Sequence, residues 1–288
     1  MKQLIITSDD FGLSGGVNRA VEKAWQDGIL TCASIMPAGR AFEEAVEIAG
    51  HNPGLQVGLH LTLVQGRSVL APDKIPDLVD EQGHFPNNPI TAGMRYFFDK
   101  KLRNQLEREI RAQIERVRDA GIALSHIDGH LNIHLHPTIF SLLADMMPHY
   151  GITSVRLSRE RLTHNLRFNR ERLAGKAIER LVFGSLAHHA RHRLDRMGTG
   201  YATEVKGVLN SGCMTERYIL DILDGLNVGL TEIYFHPGYL PDAEITRRMP
   251  DYRHQEELAA ITSPRVQQKL IDLGIELVNY RGDRKNHA

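Results

Sequence analysis

Short apolar runs alternate with longer segments of helical periodicity along most of the chain. Apolar runs of a few residues predict buried strands, and apolar positions that recur every three or four residues predict helices. The predicted strands are residues 4–7, 31–36, 56–63, 126–128, 154–157, 232–236 and 276–280. The predicted helices are residues 15–28, 42–49, 101–120, 137–150 and 263–273. This α/β alternation indicates βα units around a parallel sheet, and about seven such units suit a barrel.

Two segments interrupt the alternation. Residues 64–100 are punctuated by proline and glycine and exceed the length of an ordinary connection, which predicts an excursion that forms a wall of the site. Residues 156–196 hold more arginines and lysines than acids and carry apolar positions at helical spacing, which predicts an inserted amphipathic helix. With these two insertions, residues 1–288 are predicted to form a single domain.

Composition narrows the class of protein. The chain has 288 residues, 42% of them hydrophobic, and its 35 basic and 35 acidic side chains balance, so no strong positive field of a general nucleic-acid binder is expected. Cys32 and Cys213 are far apart and outside any CxxC spacing, which favours buried, reduced thiols over a disulfide or a cysteine zinc site. No apolar run approaches the length of a membrane span or a signal peptide, so a cytoplasmic protein is expected, soluble or peripherally attached to a membrane.

Polar side chains stand at the carboxyl ends of several predicted strands. In a parallel barrel these ends converge on one face, where active sites are built. The sequence therefore predicts one pocket assembled from residues that are distant along the chain: Asp9, Asp10, His60, Asp128, His130, Arg156 and His236.

Each of these positions also has a structural interpretation. The acid pair at residues 9–10 can serve as a helix N-cap, and a lone His60 between leucines can be a hydrogen-bonded core residue. His236 can be a general acid or a turn residue before a proline. Residues 126–136 are different, because they hold four histidines and one aspartate, and that density favours a site for Zn²⁺ or a similar divalent ion.

Four segments resemble, in order and along nearly the whole chain, the motifs of the YdjC-like carbohydrate deacetylases. They are TSDDFGLS at 7–14, VGLH at 57–60, HIDGH at 126–130 and EIYFHPG at 232–238. Segments 27–31, 75–80, 135–138 and 252–258 are most similar to the hopanoid-biosynthesis-associated branch of that family, HpnK. The chain departs from the family pattern at Thr7 and Ser8, and at Asn132, where many relatives have histidine.

The resemblance implies a distorted (β/α) barrel related to the NodB-type deacetylases and one divalent metal ion, with zinc favoured and magnesium left open. The ligands carried over are Asp10, His60 and His130. Asp9 is then the base and His236 the acid. Arg156, His134 and Tyr239 are the expected substrate contacts.

The predicted activity is removal of an N-acetyl group from an amino sugar, with an N-acetylglucosaminyl hopanoid glycolipid as one substrate. A metal-dependent phosphoesterase is the alternative enzyme, although no second carboxylate–histidine cluster is evident for a second metal. A non-catalytic, metal-stabilised carbohydrate-binding protein is the other alternative, but it would not need the additional carboxylate of Asp9. A lipid-linked substrate implies membrane contact through the basic residues of 156–196, among them Arg180, Arg191 and Arg193. A homodimer is left open.

Overall fold

The computed structural model describes residues 1–160 and 173–285. Its described residues include seven strands, β1 (Lys2–Phe11), β2 (Cys32–Ile35), β3 (Gln56–Leu61), β4 (Ile127–Gly129), β5 (Glu204–Lys206), β6 (Gly229–Phe235) and β7 (Ile275–Leu277). These strands form one parallel sheet in the order β4-β3-β2-β1-β6-β5, and β7 also pairs with β1. β1 is fully buried from Leu4 onward, as expected for a central parallel strand with both faces covered.

The two outer strands of the sheet, β4 and β5, are joined through residues 153–159. Val155 forms a parallel bridge with Ile127 of β4, and Ser154 forms one with Gly200. The N–H of Val205 in β5 donates to the carbonyl of residue 159 at 3.0 Å. The sheet therefore curls into a distorted barrel, which confirms the predicted fold class. The predicted strand at 154–157 exists only as these isolated bridges.

Ten α-helices lie in the described part of the chain, and most of them connect successive strands. They are α1 (Gly15–Gln26), α2 (Phe42–His51), α3 (Pro89–Phe98), α4 (Leu102–Asp119), α5 (Pro137–Tyr150), α6 (Leu173–Met197), α7 (Glu216–Asp224), α8 (Ala243–Arg248), α9 (His254–Ile261) and α10 (Pro264–Asp272). Two 3₁₀ segments, Pro72–Lys74 and His130–Leu135, complete the pattern.

The sequence pattern missed β5 and helices α3, α7, α8 and α9. β5 is only three residues long and begins and ends on charged side chains, so it contains no apolar run. α3 lies inside the predicted excursion at 64–100, where it begins with a proline behind the Asn88 cap, whose side chain accepts from the N–H groups of Ile90 and Thr91. Prolines in this segment predict a loop, but proline is also favoured in the first turn of a helix.

α6 occupies the second half of the predicted insertion. Its apolar stripe is buried in the C-terminal part, at Ala187, Ala190 and Leu194, but Ile178 and Leu181 are exposed. The Arg180 side chain and residues 161–172 lie outside the described residues. No helix among the described residues is long and apolar enough to cross a membrane.

Both cysteines are free thiols. Cys32 is buried in β2, and burial raises the pKa of its thiol to about 12. Cys213 is only half-buried, so the prediction that both thiols are buried is wrong for this residue. It lies on an irregular segment between β5 and α7, not in a strand.

Candidate metal centre and active site

The two consecutive carboxylates at the end of β1 point to different partners. Asp10 has φ 61°, a left-handed conformation that is uncommon for a residue other than glycine, and Gly12 follows with φ 89°. The turn is closed by the N–H of Leu13, which donates to the Asp10 carbonyl at 2.9 Å. As a result, Asp9 faces Arg156 while Asp10 faces His60 and His130. Backbone strain of this kind is concentrated at functional sites.

Asp10, His60 and His130 form a compact, buried cluster. The Asp10 Oδ1 atom lies 3.3 Å from His60 Nε2 and 3.3 Å from His130 Nδ1. Within the described chain neither oxygen of Asp10 accepts a hydrogen bond. Burial alone would raise the pKa of Asp10, but the two histidines hold it well below its usual range.

A divalent cation fits this cluster. One potential ligand atom from each residue lies within 4.8 Å of the others, and a carboxylate with two imidazoles is a donor set suited to zinc and related ions. A buried carboxylate without hydrogen bonds is costly unless a cation compensates it. The structure thus brings together the three residues that the family resemblance implied as ligands.

Asp128 orients His60. Its Oδ1 lies 2.8 Å from His60 Nδ1, which leaves Nε2 directed at Asp10. The other oxygen accepts from Ser34 Oγ at 2.6 Å and from Arg156 at 2.8 Å. Burial opposes the charge on Asp128, yet Arg156 and His60 hold its pKa well below the ordinary value. A carboxylate behind a histidine ligand is the usual outer partner in metal sites.

Asp9, His60 and Asp128 form a second group of suitable spacing. Both of its carboxylates already pair with the guanidinium of Arg156, at 2.7 and 2.8 Å. A cation placed there would be repelled by that guanidinium. The set with Asp10 is therefore the better candidate, because no arginine or lysine among the described residues pairs with its carboxylate.

His130 is placed by a sharp change of chain direction after β4. Leu131 and Asn132 both have left-handed backbone angles, with φ 52° and 56°. Gly129 precedes the ligand at a point where a Cβ would lie 3.0 Å from the carbonyl oxygen of Leu61. The close approach to β3 thus favours glycine at residue 129, directly before His130. The side chain of Asn132 accepts a hydrogen bond from Ser158.

Arg156 is almost fully buried and holds three carboxylates. Its two terminal nitrogens donate to the two oxygens of Asp9 at 2.7 Å each, and Nε donates to Glu232 at 2.9 Å. The guanidinium carbon lies 4.4 Å from the centre of the Tyr234 ring. Burial lowers the pKa of Arg156, but Asp128, Asp9 and Glu232 outweigh that effect and keep it well above its usual value. A planar guanidinium fits such a bidentate arrangement.

Two of the three expected substrate contacts are buried behind Asp9. Arg156 is 1% exposed, and His134 is inaccessible with Nε2 2.8 Å from the Arg156 carbonyl oxygen. Their contacts support a positioning role, not direct contact with a substrate. Tyr239 is fixed against α1, where its N–H donates to the Gly16 carbonyl at 3.1 Å. No described contact brings the Tyr239 hydroxyl to the Asp10 cluster.

His236 follows β6 and faces Asp9. Its Nε2 lies 4.0 Å from Asp9 Oδ2, and Tyr234 and Tyr252 flank the ring with centroid distances of 5.7 and 5.1 Å. Burial lowers the pKa of His236 to about 4, so the ring is neutral at neutral pH. Its backbone N–H donates to Glu257, a buried residue that the sequence analysis did not single out.

Ser34, Glu232 and Glu257 complete the polar surroundings of the site and were not predicted. Glu232 could have been found, because it is an acid within an apolar strand segment, and in the structure it also accepts from Thr7 Oγ1 at 2.9 Å. Ser34 and Glu257 carry no such signal. Glu257 lies on a helix, α9, that the sequence pattern did not predict.

A parallel α/β barrel with an aspartate–histidine–histidine cluster and a neighbouring aspartate at its strand ends defines the class of this protein. A family model described as YdjC-like protein matches residues 3–272, and the chain belongs to this family. It is 29% identical over 281 residues to a carbohydrate deacetylase of Geobacillus stearothermophilus, with 96% of each chain covered. It is also 29% identical over 283 residues to a carbohydrate deacetylase of Thermoanaerobacter pseudethanolicus, covering 97% of this chain and 98% of the relative.

One solved structure is similar over nearly the full length. It is a putative cellobiose-phosphate cleavage protein from Enterococcus faecalis V583, with a TM-score of 0.74 and 25% identity over 97% of this chain and 98% of that chain.

Proposed function

We propose that this protein is a divalent-metal-dependent hydrolase that removes N-acetyl groups from an amino sugar. The observation that carries the proposal is the pairing of two adjacent acids with separate tasks. Asp10 faces two histidines without a hydrogen bond of its own among the described residues, whereas Asp9 is held by Arg156 beside that cluster. The carbohydrate deacetylases among its relatives support the choice of reaction.

In this proposal Asp10, His60 and His130 hold the metal ion. A divalent ion there would act as a Lewis acid toward the acetyl carbonyl oxygen and would lower the pKa of water. Zinc is the ion we propose, since a mixed carboxylate and imidazole set suits it, and magnesium is the alternative for the test. Asp128 keeps the Nε2 atom of His60 directed at the ion.

Asp9 accepts the proton of the water that attacks the acetyl carbon. Arg156 fixes both of its oxygens, so the carboxylate is already oriented before the substrate arrives. The C–N bond then breaks, and the departing amine needs a proton. We propose that His236, neutral and 4.0 Å from Asp9, relays to the amine the proton that Asp9 took from the water, so that both residues return to their starting protonation states. The products are acetate and the free amino sugar.

The decisive experiment is an acetate-release assay on N-acetylglucosaminyl compounds. We expect release with added zinc, loss of release with a chelator, and no release by Asp10→Asn with or without added metal. A His136→Gln variant is the matched control, because His136 bonds the Gly93 carbonyl outside the cluster. Release that persists unchanged in the chelator or in Asp10→Asn would refute metal-dependent deacetylation.

We propose an N-acetylglucosaminyl hopanoid as the first specific substrate to test, on the basis of the four branch-like segments of the sequence. Mass spectrometry after incubation should show the loss of one acetyl group. Activity on simple N-acetylated sugars without any on this lipid would leave the deacetylase assignment intact and refute the lipid substrate.

A phosphoesterase is the second candidate, because the similar Enterococcus faecalis structure carries the description of a putative cellobiose-phosphate cleavage protein. Phosphate release from a disaccharide phosphate, measured in parallel with acetate release, separates the two activities. We expect acetate release alone. Phosphate release that is lost in Asp10→Asn would favour the phosphoesterase, and the absence of both products would favour a carbohydrate-binding protein.

A further inference from the structure

The outer face of α3 is apolar and exposed. Ile90, Met94, Phe97 and Phe98 are more than half exposed, at 77%, 55%, 53% and 67%. Their spacing of four, three and one residues places them on one side of the helix. We refer to these four residues as the α3 apolar face. Two neighbouring exposed phenylalanines, with ring centroids 5.0 Å apart, are unusual on a surface that contacts only water.

The other side of α3 is firmly attached to the barrel, so the exposed face is not a consequence of a loose helix. Ala92 and Tyr96 are buried, and the Tyr96 hydroxyl donates to the Leu63 carbonyl at 2.7 Å. Asn88 caps the helix through two backbone N–H groups. α3 therefore presents its apolar face outward in a fixed orientation.

Basic side chains follow this face directly. Lys100, Lys101 and Arg103 are exposed, and none of them has an ion-pair partner among the described residues. We refer to these three residues as the basic turn. The one acid between the face and the turn, Asp99, accepts from the backbone N–H of Lys101 at 3.0 Å. Apolar residues beside unpaired lysines and arginines are the composition that binds an anionic lipid surface.

α3 contacts two segments of the chain that follow proposed ligands. Tyr96 bonds the chain just beyond β3, the strand that carries His60. The Phe97 ring lies 6.2 Å from the His136 ring, and His136 directly follows the 3₁₀ segment that begins with His130. Leu131, the residue after His130, is 40% exposed. α3 thus contacts the segments that directly follow two of the three proposed ligands, His60 and His130.

We propose that the α3 apolar face and the basic turn dock this protein onto the surface of an anionic lipid bilayer. The phenylalanines enter the interface between head groups and acyl chains, and the basic turn pairs with lipid phosphates. Charge favours this partner over a second copy of the chain. The chain carries no net charge at pH 7, so a second copy offers no overall attraction to the basic turn, whereas an anionic bilayer does.

The test is cosedimentation with vesicles of phosphatidylcholine alone or of phosphatidylcholine with phosphatidylglycerol. The wild-type protein should bind the phosphatidylglycerol vesicles at low salt, and binding should fall severalfold in high salt, since salt screens the lipid charge. Phe97→Ser/Phe98→Ser should lose most of the binding under the same conditions. Lys100→Gln/Lys101→Gln/Arg103→Gln should bind phosphatidylglycerol vesicles no better than neutral ones.

Matched control variants test whether vesicle binding depends on the α3 apolar face and the basic turn in particular. Val228→Ser/Ile271→Ser removes two exposed apolar side chains elsewhere. Arg19→Gln/Arg118→Gln/Arg281→Gln removes the same charge from α1, the end of α4 and the segment after β7. Both controls should bind like the wild type. Binding that falls equally in the controls, or that is absent in the wild type, would overturn the proposal.

Sedimentation velocity without lipid tests whether a second copy of the chain, and not a bilayer, covers the α3 apolar face. The wild type and Phe97→Ser/Phe98→Ser should show the same oligomeric state, and a dimer that dissociates only in the variant would assign the face to a second copy instead. The vesicle assay involves no turnover, so its failure leaves the proposed deacetylation untouched. We expect the Phe97→Ser/Phe98→Ser protein to keep full activity on a water-soluble N-acetylated sugar.

Discussion

Arg156 donates to both oxygens of Asp9, at 2.7 Å each, from a buried position between three carboxylates. The two residues are far apart in the sequence, and only curling of the sheet through residues 153–159 brings them together. The pair explains how Asp9 can be a base of fixed orientation one residue away from a metal ligand.

Arg156→Lys should therefore lower kcat about a hundredfold, because an ammonium cannot bond both carboxylate oxygens in one plane and small misplacements of a catalytic group have costs of this size. The KM should change little, since Arg156 is buried away from the substrate. Steady-state kinetics on an N-acetylated sugar, with circular dichroism as a check of folding, would show this. A rise in KM at unchanged kcat would instead indicate that Arg156 contacts the substrate.

Asp9→Asn should keep the metal and lose turnover by roughly 10²–10⁴-fold, the usual contribution of a general base. The amide removes the proton acceptor but leaves the Asp10, His60 and His130 cluster in place. Asp10→Asn is the matched comparison one residue away, and it should lose the metal as well as turnover. Metal content by mass spectrometry and acetate release distinguish the two variants. Near-normal turnover in Asp9→Asn would remove Asp9 from the mechanism.

His130→Ala should abolish stoichiometric metal uptake, because it leaves two proposed protein ligands where a catalytic zinc site usually has three. His136→Gln should retain normal uptake, since His136 faces the Gly93 carbonyl and not Asp10. Titration calorimetry with zinc on protein first treated with a chelator measures both. Uptake in His130→Ala at the wild-type stoichiometry would contradict the ligand assignment.

Several features of the fold could be read from the sequence because a single local pattern encodes them. Buried parallel strands such as β1 appear as continuous apolar runs, and α5 begins and ends as predicted, at Pro137 and Tyr150. β5 could not be read, because three residues with charged ends gain their strand conformation from β6 and not from their own pattern. The segment at 154–157 shows the converse case, since its sequence predicts a strand that the structure does not form. It is apolar enough, but it pairs only at isolated positions.

The candidate site, like the fold, could be predicted from the sequence only in part. Strand-end position and donor chemistry pointed to Asp9, Asp10, His60 and His130, and the structure brings these side chains together. Burial was not readable, so Arg156 and His134 were expected at the substrate. Which polar residue faces the substrate and which lies behind depends on the curl of the sheet, and no local spacing encodes it.

His134 should make the protein less stable in acid. Burial lowers the pKa of His134 to about 4, whereas an exposed histidine in the unfolded chain titrates near 6.5. Above pH 6.5 both states are neutral at this residue, and the histidine adds no pH dependence. As the pH falls from 6.5 to 4, the unfolded chain binds a proton that the folded protein does not, so the free energy of unfolding falls, by on the order of 3 kcal/mol at the lower limit.

His134→Gln should remove this contribution, because an amide does not titrate and its nitrogen can still donate to the Arg156 carbonyl in place of Nε2. Urea unfolding between pH 7 and pH 4, with a chelator present throughout, should show a smaller decline for the variant than for the wild type. His149→Gln, an exposed histidine on α5, should decline like the wild type. If the free energy of unfolding falls equally with pH in the wild type and in His134→Gln, the folded protein does not keep His134 neutral. That result would contradict the buried, neutral state assigned to His134.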